Sequence, residues 1–151
     1  MWQHHLITVR RSIERDTEGI ARVIVAAAGK AYAYFNWNES LKDIRDWLEA
    51  NPEGWTEMWV GEIAGNVAGF MAMNDDFIDQ LFVFPQWQKM SLGSRLMNQA
   101  KQLYPRGLTL HCSQQNWPAC AFYERHGFIA VVHRIHQPHG IGEIVYRCHG
   151  G

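Results

Sequence analysis

The chain has 151 residues, of which 47% are hydrophobic and 19% charged, with a formal net charge of -1. This balance describes one folded domain over residues 1–151 with a core of ordinary size, and it excludes a disordered chain. The near-neutral charge provides no basic field for nucleic acid. No run of about 18 apolar residues offers a membrane span, and Met1-Trp2-Gln3-His4-His5 lacks the apolar centre of a signal segment. Cys112, Cys120 and Cys148 are odd in number and show no paired spacing, so free thiols in a reducing cytoplasm are the simplest account.

In chain order, Leu6 to Arg11 alternates as a first strand. Asp16 is placed to cap a helix with Ile20, Val23, Ile24 and Ala27 on one face, and Gly29 to end it. The aromatic stretch Ala31-Tyr32-Ala33-Tyr34-Phe35-Asn36-Trp37 has no clear period and reads as a loop or broken helix. Aromatics make up 13% of the chain, including seven tryptophans, and fit either a large core or an aromatic-lined cleft. Ser40 with Asp43 resembles a capping box, and Leu41, Ile44 and Leu48 mark a second helix that stops before Pro52. Strands follow over Glu57 to Ile63 and Val67 to Met73, joined by the turn Ala64-Gly65-Asn66.

After the turn Asn74-Asp75-Asp76, an apolar strand runs from Ile78 to Pro85, where the missing N–H of proline ends the ladder. A polar loop with Lys89, Ser91, Gly93 and Ser94 leads into a third helix with Leu92, Leu96, Ala100 and Leu103 on one face. Strand, tight polar loop and helix start aim free N–H groups at one spot, which suits a phosphate. An ordinary surface connection fits the same residues. The loop is neither a P-loop nor a dinucleotide fingerprint. Pro105-Arg106-Gly107 then breaks the chain, Leu108 to Cys112 forms a strand, and Asn116 to His126 a fourth helix ended by Gly127. Phe128 to Ile135 and Gly142 to Arg147 close the chain as two strands. The order βααβββαβαββ specifies an α/β layer architecture with a mixed sheet.

Two pieces together resemble the GNAT-type acyl-CoA N-acyltransferase family. The first is the central strand with Val83-x-Pro85 and then Gln88-x-x-Ser91-x-Gly93, similar to that family's Arg/Gln-x-x-Gly-x-Gly/Ala. The second is Asn116-Trp117-Pro118-Ala119-Cys120-Ala121-Phe122-Tyr123-Glu124-Arg125-His126-Gly127-Phe128, similar to its Asn…Ala…Phe-Tyr-x-x-x-Gly-Phe. The resemblance runs from Ile7 to about Arg147. It implies a mixed twisted sheet of six to seven strands flanked by four helices, with the central strands splayed into an acetyl-CoA cleft. Ser91 departs from the pattern's first glycine. Serine gives up some backbone freedom and adds a hydroxyl donor, while the main-chain donors remain.

The resemblance implies an N-acetyltransferase that moves acetyl from acetyl-CoA to a primary amine of a small molecule or peptide by direct attack, releasing coenzyme A. It places the pantetheine amides on main-chain groups of Leu81, Phe82 and Val83, and the pyrophosphate on Gln88, Lys89, Met90, Ser91, Leu92, Gly93 and Ser94. Asn116 would contact the pantetheine arm, and a homodimer is a habit of the family. The reaction needs an acceptor for the amine proton, a donor to the oxyanion and a proton for the thiolate. An N–H of Phe82 or Val83 would serve the oxyanion. Tyr123 occupies the family's general-acid position; taken without the motif, it is an amphipathic helix residue. Phe77 and Asp79 share a strand face, and Asp79 is the candidate base; it also fits as a strand-start carboxylate holding a neighbouring loop, with water relaying the proton. The aromatic stretch and the last hairpin would wall the acceptor site. Eight histidines, among them His136, His139 and His149, match no structural zinc spacing, so no metal is expected. A non-catalytic acyl-CoA-binding or sensor domain is the rival reading.

Overall fold

The structure is a computed structural model that describes residues 6–31, 39–136 and 140–150. Its elements are β1 (Ile7–Arg11), α1 (Thr17–Ala31), α2 (Leu41–Ala50), β2 (Glu57–Ile63), β3 (Asn66–Asn74), β4 (Phe77–Val83), α3 (Leu92–Leu103), β5 (Gly107–Ser113), α4 (Trp117–Arg125), β6 (Ile129–His136) and β7 (Ile141–His149). One sheet carries all seven of these strands in the order β1-β2-β3-β4-β5-β7-β6. Every ladder is antiparallel except β4–β5, which is parallel and bridged by α3. The mixed sheet with helices on both faces agrees with the order expected from the sequence. The insertion of β7 between β5 and β6 is a result of the fold.

Each face of the sheet has its own core. Ile20, Ile24, Ile44, Leu48, Trp55, Val60 and Phe70 pack under α1 and α2. Met71, Met73, Ile78, Leu92, Leu96, Leu108, Leu110 and Tyr146 pack under α3 and α4. Successive strand side chains point to opposite faces, so the unbroken buried run Ala68 to Met73 feeds both cores at once.

Local chemistry sets the boundaries. Ser40 caps α2 by accepting from Asp43 N at 3.1 Å, and Asn51 at φ 44° ends it ahead of Pro52. Ala64 and Gly65 both take positive φ, 53° and 84°, matching a two-residue hairpin turn. Two expectations change. Helix α1 continues past Gly29 to Ala31, because Lys30 and Ala31 are good helix formers and Gly29 meets no packed neighbour that would demand a turn. Asp16 belongs to a 3-10 turn before α1. Its carboxylate accepts from Ile13 N at 2.7 Å and pairs with Arg10 at 2.8 Å, so it caps the turn and not the first amides of α1. The stretch Tyr32–Trp37 lies outside the described residues.

Helix α3 is seated by two glycines. A Cβ on Gly61 would stand 2.3 Å from Leu92 Cδ1, and one on Gly69 would stand 3.1 Å from Leu92 Cδ2. Leu92, fully buried, therefore sinks into the sheet and fixes the start of α3 beside the end of β4.

Candidate active site

Strands β4 and β5 are partners only at Phe77↔Thr109 and Ile78↔Leu110. Beyond that point β5 stays on β7 as far as Ser113, and β4 stays on β3 as far as Val83. From Asp79 to Val83, β4 has one edge on β3 and, among the described residues, no strand on the other. Such an edge presents N–H and C=O groups to an incoming extended chain. The divergence has a local cause. The β3–β4 register passes from Met73↔Ile78 to Ala72↔Gln80, leaving Asp79 as an extra residue. A bulge of this kind bends its strand and increases its twist.

The bent strand ends at the loop singled out in the sequence. Pro85 to Trp87 form a 3-10 turn, and the Gln88 side chain folds back so that Nε2 donates to Val83 O at 3.1 Å. Ser91 adopts φ 64° and ψ 8°, the left-handed conformation for which glycine is preferred, and its side chain makes no capping bond to α3. The amides of Leu92, Gly93 and Ser94 form the first turn of α3, where no intrahelical acceptor exists and the positive helix end adds to their field. A Cβ on Gly93 would lie 3.4 Å from two ring carbons of Phe122, so glycine lets α4 close on this turn. Lys89 is exposed, and Met90 packs against the core of this face. The amides of Leu92, Gly93 and Ser94 thus lie at one end of one helix, next to the free edge of β4, whereas the Met90 N–H, also expected as a donor, is taken by Trp87 O at 3.1 Å.

Tyr123 lies half-buried on α4. Its ring is 5.5 Å from Phe122, 5.9 Å from Phe128 and 6.3 Å from Tyr146, an aromatic clamp that sets its direction. Asn116 is the N-cap residue of α4, and its side chain makes no capping bond there. Asp79 belongs to the other face of the sheet. Its Oδ2 accepts from Trp55 Nε1 at 2.7 Å, and Trp55 is held edge-on by Trp47 and Phe70. Asp79 and Tyr123 therefore lie on opposite faces of the sheet.

The Cys112 thiol and the second tyrosine near α4 are held protonated. Cys112 and Cys120 are buried free thiols with their sulfurs 3.4 Å apart. Burial and then the neighbouring thiol push Cys112 well up, which makes it packing and not a nucleophile at neutral pH. Fully buried Tyr146 donates to Glu124 Oε2 at 2.7 Å, and burial is the main reason its proton is held. His126 is shifted the other way, down, chiefly by burial and then by Lys101 and Arg125.

Among the described residues no group of three or more His, Cys, Asp or Glu side chains is arranged to hold a metal, and no helix is long and apolar enough to cross a membrane. A shallow hollow of about 210 Å³ lies between β2, α1 and α2, lined by Ile13, Glu14, Leu48 and Met58 among others, two strands away from the opened edge of β4. Three features escaped sequence reasoning: the bulge at Asp79, the Gln88 clasp on Val83 and the contact of His126 with Ser94 at 3.0 Å. None leaves a sequence signal, since each joins residues through space. The glycine-like backbone of Ser91 was foreshadowed by the departure from the family pattern.

Comparison with known proteins places this geometry. The sequence pattern described as the Acetyltransferase (GNAT) family matches residues 21–128. The peptidyl-lysine N-acetyltransferase YiaC of Escherichia coli is 33% identical over 96 residues, covering 63% of this chain, and the match spans about three-fifths of that relative, 62%. The peptidyl-lysine N-acetyltransferase YjaB of Salmonella typhimurium is 26% identical over 127 residues, covering 82% of this chain and 83% of its own. The crystal structure of the PaiA N-acetyltransferase of Thermoplasma acidophilum, a complex with coenzyme A, superposes with a TM-score of 0.74 at 15% identity over 95% of this chain and 99% of its own. At that identity the likeness establishes the fold alone. With the family pattern spanning both the opened strand pair and the whole helix that carries Tyr123, this chain belongs to the GNAT family of acetyltransferases.

Proposed function

We propose that the protein, acting as one catalytic domain, transfers the acetyl group of acetyl-CoA to a primary amine, and that the amine is the side chain of a lysine in a peptide. The observation that carries this reading is the β4–β5 ladder that stops after two pairs beside an uncapped helix start. The two relatives named as peptidyl-lysine N-acetyltransferases support the choice of acceptor. The residues present fit the coenzyme. Three first-turn amides and an exposed Lys89 suit a diphosphate, and an open strand edge of five residues suits the two amides of a pantetheine arm. Bound acetyl-CoA supplies an activated thioester.

The chain's own groups do the rest. Main-chain groups of Leu81 and Val83, which alternate away from β3, orient the arm, and the Val83 N–H faces the oxyanion; Phe82, paired with Phe70, turns its N–H toward β3. Leu92 to Ser94 hold the diphosphate through their amides, with Gln88, Lys89, Met90 and Ser91 shaping the loop. Asn116 borders the arm from α4. The neutral amine approaches from the Asp79 side, its nitrogen bonds to the thioester carbon and the C–S bond breaks. Asp79, or a water it holds, takes the amine proton, and Tyr123 O–H returns a proton to the leaving sulfur. A phenol suits that step because its proton affinity, at a pKa of about 10, lies near that of a thiol.

The test is an acetyl-CoA-dependent thiol-release assay over lysine peptides and small amines, alongside a thermal shift with acetyl-CoA. A coenzyme-induced rise in melting temperature with release on lysine peptides is expected. A rise with no acceptor in a broad panel would leave an acyl-CoA-binding module. No rise at all would remove the coenzyme from the account.

A further inference from the structure

One polar contact at the helix start takes no part in the transfer step itself. Ser94 Oγ, in the first turn of α3, lies 3.0 Å from His126 Nε2. His126 follows α4 directly, its ring 4.6 Å from that of Phe122, which packs on Gly93. The residue is anchored from behind: Lys101 Nζ donates to His126 O at 2.6 Å. The groups facing it are Ser94 and Lys101 of α3, Phe122 and Arg125 of α4, and the Cys148 thiol of β7, whose sulfur is 3.9 Å from its carbonyl.

We propose that His126 is a proton-linked positioning residue for the coenzyme's diphosphate: it sets the direction of the Ser94 hydroxyl and takes up a proton when the diphosphate binds. This rests on the diphosphate lying at the start of α3. A neutral imidazole whose Nε2 accepts from Ser94 consumes the hydroxyl proton. A protonated one donates from Nε2 to Ser94 Oγ and leaves that proton for a phosphate oxygen. In the ligand-free protein burial, Lys101 and Arg125 hold His126 neutral. A dianion at the neighbouring turn offsets the two cations and favours the charged ring. The sign follows from linkage: if binding raises the proton affinity of His126, coenzyme affinity rises as pH falls through the bound-state pKa and levels off below the free-state one.

The probe is 3′-dephospho-CoA, because the 3′-phosphate of coenzyme A itself titrates near about pH 6. Its dissociation constant is measured by calorimetry between about pH 5.5 and about pH 8, with the His126 imidazole followed by NMR with and without ligand. The wild type should bind about threefold to tenfold tighter at the acid end. His126→Gln keeps a donor near the Nε2 position and cannot titrate, so its affinity should be flat with pH. Ser94→Ala should lose the slope as well as affinity. A slope that survives in H126Q, or an imidazole titration unmoved by ligand, overturns the inference. Wild-type binding with no pH dependence removes this inference and leaves the proposed function intact, whereas no binding at all removes both.

Discussion

Ser91 holds a backbone conformation that serine disfavours, and replacing it tests how the loop is built. A non-glycine residue at φ 64°, ψ 8° carries strain of about 1–2 kcal/mol. Ser91→Gly removes that strain but loosens the unfolded chain, at a cost of about 0.5–1 kcal/mol. No capping bond is lost, because the Ser91 side chain makes none to α3. The net gain is between about 0 and about 1.5 kcal/mol, or a rise in melting temperature of up to about 6 °C for a chain of this size. Ser91→Ala keeps the strain and loses no capping bond, so it should stay within about 0.5 kcal/mol of wild type. Ser91→Val, branched at Cβ, should be worse than either. Urea unfolding of the three variants beside wild type reads these values directly. A destabilised S91G, or S91A losing more than about 1 kcal/mol, would show that the hydroxyl holds the loop and that the strain argument is wrong.

Other variants probe the site and its supports. Tyr123→Phe keeps the aromatic clamp, so folding and coenzyme binding should persist while acetyl transfer falls by about 10²-fold or more; an unchanged steady-state rate would end the acid assignment. Asp79→Asn can still accept from Trp55 Nε1, so stability should hold while turnover drops by about 10²-fold; an unchanged rate would end the base assignment. Asp79→Ala should in addition cost about 1–3 kcal/mol in urea unfolding, by stranding the indole N–H. Leu92→Ala should cost about 3–5 kcal/mol, because a fully buried side chain between Gly61 and Gly69 leaves a cavity with no neighbour able to fill it. The Asp16 carboxyl is held below the usual range, chiefly by the Arg10 guanidinium. A depressed folded-state pKa contributes stability that is present above the unfolded value of about 3.9 and lost as pH falls through the folded one. Acid unfolding of Asp16→Asn should therefore lack part of the wild-type loss of stability below about pH 4.

Local chemistry made much of this protein legible in advance. Ser40 before Leu41, the Ala64-Gly65 turn and Pro85 after an apolar strand act within a few residues, so their effects survive without tertiary context. The loop from Gln88 to Ser94 was readable for the same reason: helix starts leave amides unpaired whatever packs nearby. Capping at α1 and the end of that helix were misjudged, because Arg10 on β1 drew Asp16 away and no packing stopped the helix at Gly29.

What the sequence alone determined was a βααβββαβαββ chain with one anion-suited helix start and a tyrosine on a later helix. Tertiary structure decided that β7 enters between β5 and β6, that the bulge at Asp79 parts β4 from β5, and that Asp79 bonds to Trp55 on one face while Tyr123 is clamped on the other. Periodicity and capping depend on neighbours along the chain, whereas a gap between two strands depends on which distant partners hold each of them, and only the folded sheet specifies that.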